Sequence, residues 1–428
     1  MKVLFAKAGA PRISPVFAQE KRFPIGIGFL ISVLREAGHE VYFIDNYLHP
    51  RNFIEEGLLQ ENGIDVLGVH VDSICFDEAE AILKGAEKLR KKGRWGGKIV
   101  VGGPHASVMP ETIPEYVDHV VIGEGEKVIL KIIDGASERV IGDNPIAELD
   151  SLPMPAYDLA ARLPYDTTAP FIDETPVFSM NTSRGCPFEC TFCSVGSVWG
   201  RRYHCFSANR IIEDIKFLRR EYHAAGIYFR EDNFTLRKDR VKAFCEGLLS
   251  NGVNIHWMCE TRVDTLDKDL LVLMKRAGCA GLYIGTESGS QRMLDFMKKG
   301  ITIDQIKEVF QWCGDLGLRT LASFVVGAPT ETSEERKETV EFARNLGATV
   351  YGFNVFVGIP RSFLYDYVLA NKLYEHIDRR GLIYLEGHDA MVDEFYDGNP
   401  LMKIPRPKGV REHLYALAKR VRRGIRKN

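Results

Sequence analysis

Short apolar runs alternate along the chain with stretches whose apolar positions recur every three or four residues. In residues 1–143 the runs Lys2–Ala6, Glu40–Ile44, Val66–Val71, Lys98–Val101 and His119–Ile122 read as strands. Gly28–Ala37 and Phe76–Lys91 carry helical spacing between them. This alternation predicts a doubly wound parallel sheet. A second series fills residues 176–385, with strands expected at Val177–Asn181, Gly226–Arg230, Ile255–Met258, Gly281–Gly285, Arg319–Val326 and Val350–Phe356. Helical patterns follow at Ala208–Tyr222, Lys238–Ser250, Lys268–Arg276, Gln291–Met297, Ile303–Leu316 and Ser333–Leu346, with Ser207, Asp267 and Thr302 placed as N-caps.

The pattern sets four regions: a Rossmann-like domain at 1–143, a linker at 144–175, a partial (β/α)6 barrel at 176–385 and a small helical extension at 386–428. The linker carries Pro145, Pro153 and Pro155 with no clear periodicity. In the extension, Arg411–Ile425 reads as a helix with Leu414, Leu417, Val421 and Ile425 on one stripe, flanked by Lys419, Arg420, Arg422 and Arg423. The fold class is α/β throughout the first three regions.

Composition is that of a soluble globular protein, with 45% hydrophobic and 27% charged residues. The net charge of −2 offers no global field for nucleic acid. Its distribution is uneven: residues 401–428 carry ten Lys or Arg and one Glu, a local charge of +9 that leaves −11 on the rest. A basic amphipathic helix either lies on an anionic membrane surface or packs on the barrel with its basic face in water. No apolar run is long enough to span a bilayer, and the apolar start at Met1–Ala6 is too short for a signal peptide. The expected location is cytoplasmic, with peripheral contact at the inner membrane face as the alternative that the basic helix allows.

Three of the nine cysteines fall within eight residues, Cys186, Cys190 and Cys193, spaced C-x3-C-x2-C in Arg184-Gly185-Cys186-Pro187-Phe188-Glu189-Cys190-Thr191-Phe192-Cys193. Three thiolates hold three irons of a cubane cluster and leave the fourth iron open to a chelating ligand. The competing reading is a zinc site closed by Cys205. Cys75, Cys245, Cys259, Cys279 and Cys313 form no second cluster motif. The clustering of thiols suits a reducing compartment rather than a disulfide frame.

With Phe192 just before the last cysteine, this loop resembles the signature of the radical S-adenosylmethionine (radical SAM) superfamily. Gly285-Thr286-Glu287-Ser288-Gly289, Lys298-Lys299-Gly300 and Gly327-Ala328-Pro329-Thr330-Glu331-Thr332 resemble the same family, in its order. Upstream, Phe23-Pro24-Ile25-Gly26-Ile27-Gly28, Gly38-His39-Glu40-Val41, Gly102-Gly103-Pro104-His105 and Gly123-Glu124-Gly125-Glu126 resemble the cobalamin-binding domain that precedes many of these enzymes. The resemblance implies a [4Fe-4S] cluster on Cys186, Cys190 and Cys193. It implies S-adenosylmethionine near Phe192, Glu231, Asp232, Arg262, Glu287, Ser288 and Gly327. It implies cobalamin near Asp72, Ser73, Gly102, Gly103, His105, Gly123, Glu124 and Gly125.

Some cobalamin domains ligate cobalt from below through a D-x-H-x-x-G loop. Asp45-Asn46-Tyr47-Leu48-His49 misses that spacing and lacks the glycine. No protein histidine is therefore expected below the cobalt.

The implied activity is a cobalamin-dependent methyltransferase. A 5′-deoxyadenosyl radical would activate an unactivated carbon, or a phosphinate phosphorus, of a small or lipid-like substrate, which would then take the methyl group from methylcobalamin. A flavodoxin or ferredoxin would supply electrons. The same architecture also serves ring-forming or rearranging oxidoreductases without methyl transfer, and the reading of another class is a non-catalytic corrinoid- or zinc-binding protein. The sequence names no catalytic residue. It departs from the family in two places: Thr330 stands where a glycine is usual, and Ile359-Pro360-Arg361-Ser362 replaces a usual Pro-Gly-Thr near the substrate mouth.

Overall fold

The computed structural model describes residues 1–9, 21–142 and 145–397. The basic helix expected at Arg411–Ile425 lies outside them. Strands β1 (Lys2–Lys7), β2 (Glu40–Asp45), β3 (Val66–His70), β4 (Lys98–Gly102), β5 (His119–Val121) and β6 (Val140–Ile141) form one parallel sheet in the order β2-β1-β3-β4-β5-β6. Chain order reverses between β1 and β3, and the crevice above such a reversal is where open α/β sheets take ligands.

Both faces of this sheet are covered, as a parallel sheet requires. Val3 and Phe5 of β1 pack with Ile27 and Ile31 on one side. Leu4 and Ala6 pack with Ile82 and Leu83 on the other. The first core does not stop at the domain boundary. It continues through Phe206, Phe178 and Met180 into the second sheet, with Phe29 stacked on Phe206 at 6.1 Å.

The second sheet contains β7 (Val177–Met180), β10 (Gly226–Phe229), β11 (His256–Thr261), β12 (Cys279–Glu287), β13 (Arg319–Val326) and β14 (Val350–Val355). Its order β14-β13-β12-β11-β10-β7 is sequential and parallel throughout. It is the partial barrel that the pattern predicts. A short ribbon, β8 (Ser183–Arg184) with β9 (His204–Cys205), brackets the cysteine loop. Ser207, Asp267 and Thr302 each accept a backbone N–H at the start of their helix, and Thr302 forms a full capping box with Gln305.

Two features depart from the expected regions. The linker holds a helix, Tyr157–Arg162, anchored where the Tyr157 hydroxyl donates to the Ser179 carbonyl at 2.8 Å. The barrel region ends in an antiparallel hairpin, β15 (Tyr374–Ile377) with β16 (Ile383–Leu385), before the helix His388–Val392. Asp378 closes its turn by accepting the backbone N–H groups of Arg380 and Leu382. Arg379 at its tip reaches across to Asp77 and Glu80 of the first domain.

Candidate active site between the two sheets

The carboxyl ends of the two sheets face a shared cavity of about 530 Å³, within the range of small-molecule sites. Counted out to solvent, the space between its walls is about 1830 Å³. The first domain contributes Gly68, His70, Gly102, Gly103, Ser107, Gly123, Glu124 and Gly125. The second contributes Ser179, Asn181, Ser183, Arg184, Arg230, Glu231, Asp232 and Glu260.

Glycine makes the floor of this cavity. Gly103 has φ 114° and Gly123 φ 73°, both in the left-handed region. A Cβ on Gly103 would stand 2.7 Å from the Val71 carbonyl. A backbone this bare lets a flat macrocycle approach closely, and Ser183 and Arg184, just before the cysteine loop, stand in the cavity wall. The residues fit a corrin. Of the eight cobalamin contacts expected, Gly102, Gly103, Gly123, Glu124 and Gly125 line the cavity.

The other three turn elsewhere. Asp72 accepts the backbone N–H groups of Ile74 and Cys75, starting the helix Phe76–Lys91. Ser73 Oγ pairs with His105 Nδ1, and His105 Nε2 with Thr112 Oγ1, both at 2.9 Å. His105 is buried against Phe76 and fastens the loops beneath the floor.

The cysteine loop leaves β8 at Gly185, whose φ of 81° and contact with the Arg202 carbonyl admit no side chain. Cys186, Cys190 and Cys193 are free and partly accessible. Burial pushes the Cys193 thiol up to about 11 and raises that of Cys186, so positive charge must arrive with iron for thiolates to form. Phe192 packs against the cluster of Met293, Met297 and Ala328, which anchors the loop to the barrel. Cys205 does not join the three thiols. It sits in β9, and among the described residues no three His, Cys, Asp or Glu side chains gather as a single-ion site.

Several charged residues expected to touch S-adenosylmethionine are already engaged. Glu231 is buried and accepts from the backbone and hydroxyl of Thr182 and from Arg240 at 3.1 Å. Arg262 pairs with Asp264 at 2.9 Å, donates to Cys190 Sγ at 3.1 Å and lies over the Phe188 ring. It braces the cysteine loop. Ser288 is fully buried and bonded to Thr339.

Glu287 holds a left-handed backbone, φ 65°, and one carboxylate oxygen accepts from Lys299 at 2.7 Å. Gly327, φ 72°, has Met391 of the helix His388–Val392 packed against it. Asp232 lines the cavity as well, and its side chain is open to it. Loss of water against the cavity walls, with Glu231 beside it, pushes its carboxyl up to about 6.

Sequence reasoning did not single out Glu260. It closes the barrel wall of the cavity, accepts from the Tyr228 hydroxyl at 3.0 Å and stands 3.9 Å from Arg230. Burial pushes its carboxyl up to about 7. Arg184 was quoted only as a flank of the cysteines. It pairs with Glu124 at 2.7 Å and with Glu126, and so ties the cysteine loop to the glycine floor.

Comparison with known proteins follows this division of the chain. The radical SAM superfamily model matches residues 180–343, and the B12 binding domain model matches residues 18–133. An uncharacterized methyltransferase of Pyrococcus horikoshii is 32% identical over 373 residues, which covers 82% of this chain and 79% of that one. An anaerobic magnesium-protoporphyrin IX monomethyl ester cyclase of Rubrivivax gelatinosus is 26% identical and covers 80% of this chain and 66% of the cyclase. Among solved structures, the radical S-adenosylmethionine methyltransferase TsrM of Kitasatospora setae superposes with a TM-score of 0.72 at 16% identity, covering 96% of this chain and 92% of that one.

Proposed function

We propose that this chain, which belongs to the cobalamin-dependent radical SAM enzymes, is a methyltransferase acting on an unactivated carbon, or a phosphinate phosphorus, of a small or lipid-like substrate. The observation that carries the reading is the shared cavity, with the glycine floor of one domain facing Ser183 and Arg184, the residues that lead into the cysteine loop of the other. The methyltransferase relative at 32% identity favours methyl transfer within this architecture. The bound groups supply a one-electron route to a substrate radical and a transferable methyl group, chemistry that side chains cannot provide.

The chain's own residues hold the parts in register. Cys186, Cys190 and Cys193 hold the cluster, and Arg262, Phe192 and Arg184 fix their loop. Gly102, Gly103 and Gly123 bear the corrin. Gly327, with Met391 packed against it, and Glu287, paired with Lys299, are the residues we assign to the adenosyl site. A substrate between the two sheets meets Asp232 and Glu260, carboxyls that exchange protons near neutral pH and can take or return one at a substrate heteroatom. The enzyme needs an external electron donor, for which a flavodoxin or ferredoxin is the proposed class. Among the described residues no helix is long and apolar enough to cross a membrane.

The test is anaerobic incubation of the reconstituted protein with S-adenosylmethionine, a reductant and cobalamin. Formation of both 5′-deoxyadenosine and S-adenosylhomocysteine, with product mass increased by one methylene, supports methyl transfer. The relative named as a ring cyclase favours a second reading, oxidative ring formation. Deoxyadenosine alone, with hydrogen lost from the substrate, would select it.

A further inference from the structure

Nine large apolar side chains stand exposed among the described residues, and five of them, Ile359, Phe363, Leu373, Tyr374 and Ile377, fall within residues 359–377. Singly, such exposure means little; gathered on one layer it marks a contact surface. The layer is built from the helix Phe363–Asn371 and the β15–β16 hairpin, which share a core: Leu364 and Val368 of the helix are buried with Ile383 and Leu385 of β16. The five exposed side chains lie on the outer side of these same elements. Gly358 exchanges backbone hydrogen bonds with Ile383 at 2.8 and 3.0 Å, and Ile377 pairs with Ile383 from the other side, so Ile359 and Ile377 flank one strand. Leu373 and Tyr374 carry the chain from the helix into β15, and Phe363, at the start of the helix, is 56% exposed. Cations stand among them. Lys298 lies over the Phe363 ring at 5.4 Å, Lys372 caps the helix just before Leu373, and Arg361 is exposed two residues after Ile359. Asp366 and Glu375 are exposed on the same elements and Glu111 stands 3.7 Å from Arg361, so the layer itself is close to neutral. The charge comes next in the chain. Residues 401–428, ten Lys or Arg against one Glu, begin four residues beyond Asp397, the last one described.

We propose that this layer is the face by which the protein adsorbs to an anionic lipid bilayer. The five apolar side chains enter the interfacial zone, and the basic residues that follow supply the attraction to anionic headgroups. Lys298, Arg361 and Lys372 suit the same boundary, because their stems lie along apolar surface while their charge stays among the headgroups. Neither signal suffices alone. A few apolar side chains give weak, reversible adsorption, and a basic segment without them is displaced by salt. Adsorption here requires neither the cluster nor the corrinoid, so it stands apart from the chemistry of the cavity.

The test is flotation of the full chain with vesicles, one batch of equal parts phosphatidylcholine and phosphatidylglycerol, the other of phosphatidylcholine alone. The protein should float with the anionic vesicles, far less with the neutral ones, and less again as salt is raised. Phe363→Asp with Ile377→Asp should reduce the fraction floated on anionic vesicles by about tenfold. Phe363→Asp alone places an acid in the first turn of a helix, where it is tolerated, and should give part of the same loss. Val272→Asp, at an exposed apolar position outside the layer, should leave flotation unchanged. Unfolding midpoints check that the variants keep the fold. No flotation of the wild type with anionic vesicles overturns the proposal. So does equal flotation of the wild type and the double variant, which would leave the basic segment as the sole attachment. Sedimentation decides the rival occupant: a wild-type dimer that the double variant converts to monomer, without vesicle binding, assigns the layer to a second copy of this chain.

Discussion

Arg184 Nη1 stands 2.7 Å from Glu124 Oε2, and its other terminal nitrogen reaches Glu126. All three side chains are buried, and His204 closes the group at 2.8 Å from Glu124. Arg184 lies two residues before the first cluster cysteine, and Glu124 lies in the glycine floor. One guanidinium therefore couples the two cofactor sites. Burial alone would raise Glu124, but the His204 ring close beside it and the Arg184 charge outweigh it and hold the carboxyl below its usual range. Arg184→Met should cost about 3–5 kcal/mol, because it strands two buried carboxylates. Adding Glu124→Gln and Glu126→Gln should recover part of that loss. Denaturant unfolding of the single and triple variants checks it, and equal stabilities would remove the coupling role.

Glu231 gives a sharper case of a residue whose pattern and position suggest different work. It follows a barrel strand and lines the cavity, where a carboxylate can meet an ammonium group, yet Arg240 and Thr182 already engage its carboxylate. Glu231→Ala should destabilise the fold by about 3–5 kcal/mol through the unpaired Arg240. The affinity of the folded fraction for S-adenosylmethionine should stay the same. A loss of affinity at wild-type stability would return Glu231 to the ligand site.

Glu260 links the cavity to pH. Its folded carboxyl is raised to about 7 by burial, against the Arg230 charge and the Tyr228 hydrogen bond that favour ionisation, with Asp232 and Glu231 adding repulsion. The folded state thus binds more protons than the unfolded state between the ordinary carboxylate range and pH 7. Stability should fall as pH rises through that window, by about 1–3 kcal/mol at most. Glu260→Gln keeps an acceptor for Tyr228 and should flatten the slope. Unfolding midpoints measured from pH 5 to pH 8 report it directly, and an unchanged slope in the variant would assign the dependence elsewhere.

The architecture was legible because each strand closes with a change of composition. Arg319–Val326, Ala208–Tyr222 and Lys268–Arg276 occupy the residues that periodicity assigns. What escaped was short or paired at a distance. Val140–Ile141 is two residues long and takes its strand geometry from Val120 and Val121 beside it. Arg262 reads as a ligand until its bonds to Asp264 and Cys190 are seen.

The two departures from family pattern have a common backbone cause. Thr330 stands where glycine is usual, Arg361 lies in the stretch that replaces the usual Pro-Gly-Thr, and both adopt left-handed backbone, φ 68° and 62°. For a residue with a Cβ this costs roughly 1–2 kcal/mol. Arg361 is repaid by donating to the Val108 carbonyl of the first domain, with Glu111 at 3.7 Å. Thr330 makes only a weak side-chain contact, at 3.4 Å from Arg292. Thr330→Gly should therefore raise stability, by about 0.5–1 kcal/mol after the extra unfolded-state entropy of glycine. Arg361→Gly should instead loosen the seam between the domains, seen as faster amide exchange at residues 104–112. Equal responses at the two positions would mean that the cross-domain bond does no work.

The cysteines carry the last test. Cys186, Cys190 and Cys193 share one loop, and Cys205 lies apart in β9, on the ribbon strand facing Ser183. Replacing any of the first three by Ala should abolish stoichiometric iron and acid-labile sulfide in anaerobically reconstituted protein, because a cubane held by two thiolates loses an anchoring iron. Cys205→Ala should retain both. A zinc site closed by four thiolates would behave differently: no sulfide in the wild type, and loss of metal from all four variants alike. Iron, zinc and sulfide assays on the same preparations separate the two outcomes, since zinc coordination brings no inorganic sulfide.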